Sequence, residues 1–308
     1  MKKLTINKND SGQRLDKFLT KYLVNIPQSM LYKGLRKNCV RVNGKHVKDG
    51  KYFLQCGDEL TLYFSDEFFD RPDTFSAGNG DIDVVYEDDN IILINKEKGI
   101  VVHSDDRGTT DTLLSRMQSY LYKKGEYSPD REHSFAPSFC NRLDRNTSGI
   151  IIGAKNAETL RIINEKIRSR EIQKLYLCIV DGIPEQNGYI EAYLTRGEKK
   201  VSVTDTETEN SKNIKTRYNL IAQKDDMALI EVEIETGRTH QIRAQMAHIG
   251  HPLRGDRKYG SKHSCPINLA SYKLKFDFKT DAGVLNYLCG REFQITVDFA
   301  DIFSIEKS

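Results

Sequence analysis

The sequence lacks long apolar runs, C-x-x-C cysteine pairs and a glycine-rich nucleotide-binding fingerprint. No stretch reaches the roughly 18 consecutive apolar residues of a membrane-spanning helix, and the basic N-terminus lacks the apolar centre of a secretory signal. The six cysteines are scattered among 308 residues, which argues against both a disulfide framework and a zinc ribbon. We therefore expect a cytoplasmic protein with reduced thiols and no contact with a membrane.

Charge is distributed unevenly along the chain. Residues 1–64 contain 13 Lys and Arg against 5 Asp and Glu, a net charge of +8, whereas the remainder carries a net charge of −5. A small basic region attached to a mildly acidic body predicts that the basic region binds a polyanion such as a nucleic acid. A solvated, lysine-rich surface is the alternative explanation for the same excess.

Residues 1–64 have the pattern of a compact helix–helix–hairpin module. Helical spacing of apolar residues begins at Arg14, with Ser11 or Asp10 as a candidate cap, and a second short helix is predicted over Ser29–Arg36. The Asn-Gly pair at Asn43 is a strong hairpin signal, and a second hairpin is expected to be closed by Leu54, Gly57, Asp58 and the run Leu60–Phe64.

The rest of the chain divides into a linker and a larger body. Residues 65–82 are acidic, contain Gly and Pro and have no periodicity, which is typical of a linker. Residues 83–308 combine strand-like runs with amphipathic helices, one of them predicted over Ala157–Ile167. We therefore predict an α+β protein with a second, larger domain in this part of the chain.

The segment Asn141–Asn156, NRLDRNTSGIIIGAKN, carries the candidate catalytic group. Asp144 lies between two arginines and precedes a turn and a short apolar strand, so a rigid element would hold its loop still. The neighbouring guanidinium groups of Arg142 and Arg145 are expected to keep the carboxyl ionised, as a nucleophile, base or electrostatic stabiliser requires. A surface Arg–Asp–Arg ion network explains these residues equally well.

Two further segments carry candidate site residues. Alternation along the predicted strand Lys174–Val180 puts Tyr176 on the same face as Lys174, either in a cleft or as a half-buried core tyrosine. A helix capped by Thr239 is predicted to bring His240 and Arg243 to one face. The histidines near this helix do not have the spacing of a zinc site, so we expect no metal.

Residues 12–64 resemble a small RNA-binding domain of the ribosomal-protein S4 type. The resemblance rests on the RLDKFL opening, the SMLYKGLRK helix and the VRVNGK hairpin. It implies contacts with the phosphate backbone of RNA, which position a protein rather than read sequence. The residues implied in these contacts are Lys33, Arg36, Lys37, Arg41 and Lys45.

The Asp144 motif, the KLYL strand and the GRTHQIR segment together resemble the RluA-type pseudouridine synthases, over roughly residues 83–300. The IPQSMLYKGLRK segment resembles the RluC-like branch of this family. That branch acts on large-subunit ribosomal RNA, so we expect the same class of substrate here. The resemblance implies a catalytic domain built on a mixed, mostly antiparallel sheet with flanking helices. It implies isomerisation of uridine to pseudouridine without a cofactor, since neither redox change nor phosphate is involved.

The same resemblance implies roles for individual residues. Asp144 would attack the ribose or assist proton removal there, Tyr176 would stack on the flipped base, and Arg243 would pair with Asp144. Arg142, Arg145 and Arg238 would contact the RNA backbone near the site. The chain departs from the family pattern at Asn141, where His is usual, and at Asn146, where Asp is usual; neither is the expected nucleophile.

Three other functions remain as alternatives. The first is a noncatalytic RNA-binding or ribosome-assembly factor on the same fold, and the second is an enzyme of the same type acting on transfer RNA. The third is a nucleoside-cleaving hydrolase, which usually needs a second carboxylate that the Asp144 motif lacks. No repeat or heptad indicates an oligomer, so we favour a monomer.

Overall fold

The computed structural model describes residues 1–69, 79–104, 108–197 and 200–303. The chain forms two compact units. The first unit comprises residues 1–80, 115–138 and 155–158, and the second comprises residues 81–114, 139–154 and 159–308. The first unit therefore includes two segments that the sequence pattern assigns to the larger domain.

Five α-helices lie in the described residues. Their ranges are α1 Leu15–Tyr22, α2 Gln28–Arg36, α3 Leu113–Lys123, α4 Ala157–Arg168 and α5 Gln241–His248. The amphipathic patterns at the start of the chain and after Asn156 thus form helices close to their predicted bounds. Arg14 caps α1 without a side-chain hydrogen bond, so the caps expected from Ser11 or Asp10 were wrong.

The first unit contains a four-stranded antiparallel sheet with strand order β1-β4-β2-β3. Its strands are β1 Lys2–Thr5, β2 Val40–Val42, β3 Lys45–His46 and β4 Glu59–Leu62. The β2–β3 pair forms the hairpin predicted from Asn43 and its following glycine. The second hairpin was wrong, because β4 pairs with β1 and β2 instead of β3. Because β1 pairs with β4, the outer edge of β4 is covered, whereas a simple hairpin would leave that edge open.

Part of the predicted linker belongs to the core of the first unit. Phe68 and Phe69 are buried in the apolar cluster that also contains Phe18 and Leu19 of α1. A short 3-10 helix, Asp66–Phe68, places them there. Residues 70–78 of the predicted linker lie outside the described residues.

The second unit is built on a large mixed sheet of eleven strands. Its main path has the order β11-β10-β12-β13-β9-β14-β8-β6-β5, with β15 paired to β14 and β7 paired to β8. The strands are β5 Asp83–Glu87, β6 Ile91–Lys96, β7 Ser138–Phe139, β8 Ser148–Ala154, β9 Ile172–Asp181, β10 Asn187–Arg196, β11 Val201–Thr204, β12 Lys212–Lys224, β13 Met227–Ile234, β14 Leu269–Phe276 and β15 Glu292–Gln294. The prediction of a mixed, mostly antiparallel sheet is confirmed, since β14 and β8 run parallel while the other pairs on this path are antiparallel.

Close packing between β8 and β14 requires a glycine at the start of β8. Gly149 has φ +110, and a Cβ there would overlap the backbone carbonyl and amide of Ser271 on β14. A side chain at this position would force the two strands apart or strain the backbone. Gly149 therefore fixes the strand that directly follows the Asp144 turn.

No helix in the described ranges is both long and apolar enough to cross a membrane.

Candidate active site

The turn that carries Asp144 is tied down on both sides. The Thr147 amide donates to the Asp144 carbonyl at 3.0 Å, which closes the turn directly before β8. The Gly99 amide donates to the Arg145 carbonyl at 2.8 Å, and the Arg145 Nε donates back to the Gly99 carbonyl at 3.0 Å. The loop after β6 and the Asp144 turn therefore hold each other through reciprocal bonds, as a preorganised site requires.

Lys96 is a buried ammonium beneath this turn. Its Nζ donates to the carbonyls of Glu97 and Ile100, both at 2.9 Å, and of Arg145 at 3.2 Å. Burial lowers the pKa of Lys96 to about 8, while the nearby charge of Asp144 acts in the opposite direction. A lysine that reads as an ordinary strand-end residue in the sequence is thus a structural support of the candidate site.

The Asp144 carboxylate meets two groups that are distant in sequence. The Arg243 Nη1 lies 3.5 Å from Asp144 Oδ2, and the His240 Nε2 lies 3.7 Å from the same oxygen. Among the described residues, neither flanking arginine forms an ion pair with this carboxylate, so the expected local Arg–Asp–Arg arrangement was wrong. Arg145 donates to the Gly99 carbonyl instead, and Arg142 is exposed. The partners of Asp144 are Arg243 on α5 and His240 at the start of that helix.

Arg243 is itself held by a buried carboxylate. Its Nε and Nη2 donate to the two oxygens of Asp256 at 2.6 and 2.9 Å, a bidentate pair that fixes the plane of the guanidinium. Its guanidinium carbon also lies 5.2 Å from the centre of the Tyr259 ring. The buried carboxylate raises the pKa of Arg243 against the opposing effect of burial, so this cation remains charged beside Asp144.

The residue that begins α5 has an unusual backbone. His240 occupies the N-cap position with φ 55 and ψ 21, in the left-handed region that few non-glycine residues adopt. Thr239 is therefore one residue too early to be the cap, and that prediction was wrong. His240 thus precedes the helix on which it was predicted to share a face with Arg243, and both side chains lie near Asp144.

Tyr176 lies on β9, on the face that also carries Lys174. Both residues line the cavity described below, and Tyr176 is only 5% exposed. Burial is the main reason that the pKa of Tyr176 is raised, and the Asp144 charge adds to the effect. The phenol therefore stays protonated at neutral pH.

These side chains surround one open cavity of about 520 Å³ in the second unit. Its lining includes Asp144, Tyr176 and Arg243, together with two of the arginines expected to contact RNA, Arg142 and Arg238. Arg145 does not line the cavity. Sequence reasoning missed Arg168 and Arg170, which also line it. Arg168 ends α4 and Arg170 follows it, both as ordinary polar residues, so no local pattern marked them.

The cations expected to contact RNA in the first unit lie at the surface. Lys33, Arg36, Lys37 and Lys45 are exposed, and within the described residues none of them forms an ion pair. Arg41 is half-buried, with its guanidinium 5.6 Å from the Tyr63 ring centre. Free, exposed ammonium and guanidinium groups suit contacts with phosphate.

The described part of the chain contains no group of three or more His, Cys, Asp or Glu side chains arranged to hold a metal ion.

Comparison with known proteins adds independent findings. A family model described as RNA pseudouridylate synthase matches residues 90–248, and a model described as S4 domain matches residues 13–60. An uncharacterized RNA pseudouridine synthase from Mycoplasma capricolum subsp. capricolum is 32% identical over 298 residues, covering 94% of this chain and 95% of that protein. Ribosomal large subunit pseudouridine synthase C from Haemophilus influenzae is 32% identical, covering 85% of this chain and 80% of that protein.

A solved structure has the same fold. The structure titled Human RNA Pseudouridylate Synthase Domain Containing 1 superposes with a TM-score of 0.57 at 20% identity. The match covers 74% of this chain and 88% of the human chain. At this identity, the similarity concerns the fold alone.

Proposed function

The chain belongs to the RNA pseudouridylate synthase family, and we propose that it isomerises uridine in large-subunit ribosomal RNA with Asp144 as the attacking group. The single observation that carries the proposal is the Asp144–Arg243 ion pair of 3.5 Å in a cavity also lined by Tyr176. Large-subunit ribosomal RNA is proposed as the substrate because some relatives are named ribosomal large subunit pseudouridine synthase C. Two of them are 32% and 31% identical to this chain, and each match covers 85% of it.

The proposed reaction requires little more than correctly positioned side chains. The bond between N1 of uracil and C1′ of ribose breaks, a bond from C5 to C1′ forms, the C5 proton leaves and N1 gains a proton. Uridine and pseudouridine have the same elements and oxidation level, so the proposal includes no cofactor. A carboxylate that is positioned and ionised is sufficient to hold the ribose while the base turns over.

The two oxygens of Asp144 have different surroundings. Oδ2 is the Asp144 oxygen nearest to both Arg243 and His240. We assign the attack on C1′ to Oδ1, since Oδ2 is the oxygen that faces Arg243 and His240.

Tyr176 fits a neutral role beside the base. Its raised pKa keeps the phenol protonated, so formation of a phenolate base there is energetically unfavourable. We assign it to stacking on the flipped uracil and to hydrogen-bond donation. Removing a base from its stack costs a few kcal/mol, which an aromatic partner in the cavity offsets.

The central test replaces Asp144 with Asn, which preserves shape and removes the negative charge. Pseudouridine formation in a transcript of large-subunit ribosomal RNA should fall by at least about 10³-fold, while RNA affinity stays within about twofold. Asp277→Asn, at a carboxylate that pairs with Lys279 outside the cavity, is the control and should retain full activity. Chemical labelling of pseudouridine followed by mass spectrometry gives the readout. Substantial product from Asp144→Asn would show that another group attacks.

Two further measurements test the finer parts of the proposal. Uridine deuterated at ribose C2′ should react without a primary isotope effect if Asp144 attacks C1′; a large effect would instead indicate proton removal at C2′. Transfer RNA transcripts, assayed in parallel, should remain unmodified. Modification of transfer RNA in preference to ribosomal RNA would overturn the proposed substrate.

A further inference from the structure

A line of polar contacts runs behind the Asp144 carboxylate and ends on backbone. The Val201 amide donates to the Tyr259 hydroxyl at 3.3 Å, and this hydroxyl lies 2.8 Å from Nδ1 of His240. The other ring nitrogen of His240, Nε2, lies 3.7 Å from Asp144 Oδ2. The four residues come from β11, the 3-10 helix Arg257–Tyr259, the start of α5 and the turn before β8.

The direction of the hydrogens along this line follows from a count of donors. The Tyr259 oxygen accepts the Val201 amide hydrogen, and its own hydrogen requires an acceptor. Among the described residues, the one acceptor recorded beside this hydroxyl is Nδ1 of His240. A neutral imidazole that accepts at Nδ1 carries its hydrogen on Nε2, the nitrogen that faces Asp144.

We infer that His240 and Tyr259 are positioning residues, in which Tyr259 holds His240 in the Nε2–H tautomer so that this hydrogen points to Asp144 Oδ2. The inference rests on the proposed function of Asp144 as the attacking group. At 3.7 Å the contact is longer than a hydrogen bond, and contacts of this kind tighten when substrate fills the site. The imidazole then holds one carboxylate oxygen and leaves the other for the ribose.

The surroundings of His240 favour the neutral ring that this role needs. Burial lowers its pKa, and the positive charges of Arg243 and Lys258 add to the effect. Asp144 and Asp256 act in the opposite direction. Its left-handed backbone is also best tolerated by Asn, Asp and His among non-glycine residues, which makes Asn a substitution that preserves the local turn.

The tautomer can be measured without any assay of catalysis. Histidine labelled with ¹⁵N reports which ring nitrogen carries the hydrogen, and the His240→Asn variant identifies its signals among the seven histidines. At pH 8 we expect the Nε2–H form in the full-length protein and a mixture of both forms in Tyr259→Phe. A predominant Nδ1–H form in the unaltered protein would overturn the inference.

The kinetic arm uses a pair of substitutions that differ in one donor. His240→Asn keeps the turn and loses the Nε2 donor, whereas the terminal amide of His240→Gln reaches the same position and can replace it. On the ribosomal RNA transcript, kcat should fall about tenfold or more for His240→Asn and for Tyr259→Phe, with KM nearly unchanged, and recover in His240→Gln. Tyr259→Phe keeps the aromatic ring that faces Arg243.

The double variant separates a shared path from two independent defects. If Tyr259 acts through His240, combining Tyr259→Phe with His240→Asn should lower kcat no further than either change alone. Multiplicative losses, or a full-activity His240→Asn, would refute the positioning role. If the unaltered protein forms no pseudouridine at all, the proposed function fails, whereas the nitrogen signals still decide the tautomer.

Discussion

The two units of this protein use positive charge in opposite ways. In the first unit, Lys33, Arg36 and Lys37 stand exposed on and after α2, without ion-pair partners among the described residues. In the second unit, Arg243 is 8% exposed, forms an ion pair with Asp256 and lies 3.5 Å from Asp144. Exposed cations in water are strongly screened and adapt to many phosphates, whereas a buried, bidentate guanidinium keeps one geometry.

This difference indicates which charged side chains can be substituted without a large loss of stability or activity. A surface cation contributes to affinity as one of several similar charges, so its neighbours compensate for its removal. A buried cation is fixed by a specific partner, and its removal leaves that partner unpaired. Breaking a charge in each unit should therefore give effects of different size and different kind.

The largest effect is expected from Arg243→Met. It leaves the buried Asp256 carboxylate without its partner, which should destabilise the protein by about 3–5 kcal/mol. It also removes the cation beside Asp144, so activity in the folded fraction should fall by more than about a hundredfold. Denaturant unfolding and single-turnover assays measure the two effects.

The chain offers a matched control for this change. Lys166 and Glu171 form another buried ion pair in the second unit, at 2.8 Å, and neither residue lines the cavity. Lys166→Met should destabilise the protein while its folded fraction retains normal activity. Equal loss of activity in both variants would show that Arg243 acts through stability alone.

A smaller effect is expected at Lys96, where the charge is buried but faces backbone carbonyls. Because the pKa of Lys96 is lowered from 10.5 to about 8, the folded state binds fewer protons than the unfolded state between these values. The contribution of Lys96 to stability should therefore rise between about pH 8 and pH 10.5 and be lower below pH 8. The difference in unfolding free energy between the unaltered protein and Lys96→Met, measured across this range, should increase with pH. A flat difference would contradict the lowered pKa.

The smallest effect is expected from the exposed cluster. Changing Lys33, Arg36 and Lys37 together to Gln should weaken RNA binding by about tenfold and reduce the salt dependence by about one phosphate contact for each cation. The value of kcat on bound RNA should not change. The same substitution at Lys17, Lys48 and Lys51, exposed elsewhere in the first unit, is the control. Equal losses in both triple variants would indicate general charge attraction.

Local patterns accounted for much of this architecture. The turn and strand after Asp144, the alternation that puts Tyr176 beside Lys174, and the helix after Asn156 follow from residues within a few positions of each other. Such features depend on turn chemistry and hydrophobic periodicity, which a single sequence contains. The family resemblance added the expectation that Asp144 and Arg243 meet.

The partners of Asp144 were predicted incorrectly where local proximity was used. Its neighbours in sequence, Arg142 and Arg145, were expected to hold the carboxylate, but the contacts come from residues nearly a hundred positions later. The buried role of Lys96 and the left-handed backbone of His240 were also missed. Each depends on strands and loops that meet only in the folded chain, so no short window of sequence contains the signal.

The position of β14 has a consequence for the synthesis of the chain. Within the described residues, the ladder of the large sheet passes from β9 to β8 through β14, Leu269–Phe276. Until that strand has left the ribosome, β8 and β9 each have an open edge, and the strand after the Asp144 turn lacks the backbone of Ser271 that lies against Gly149. The strand that follows the Asp144 turn is thus completed by a segment translated well after it, and a nascent chain stalled before Leu269 would expose two adhesive edges.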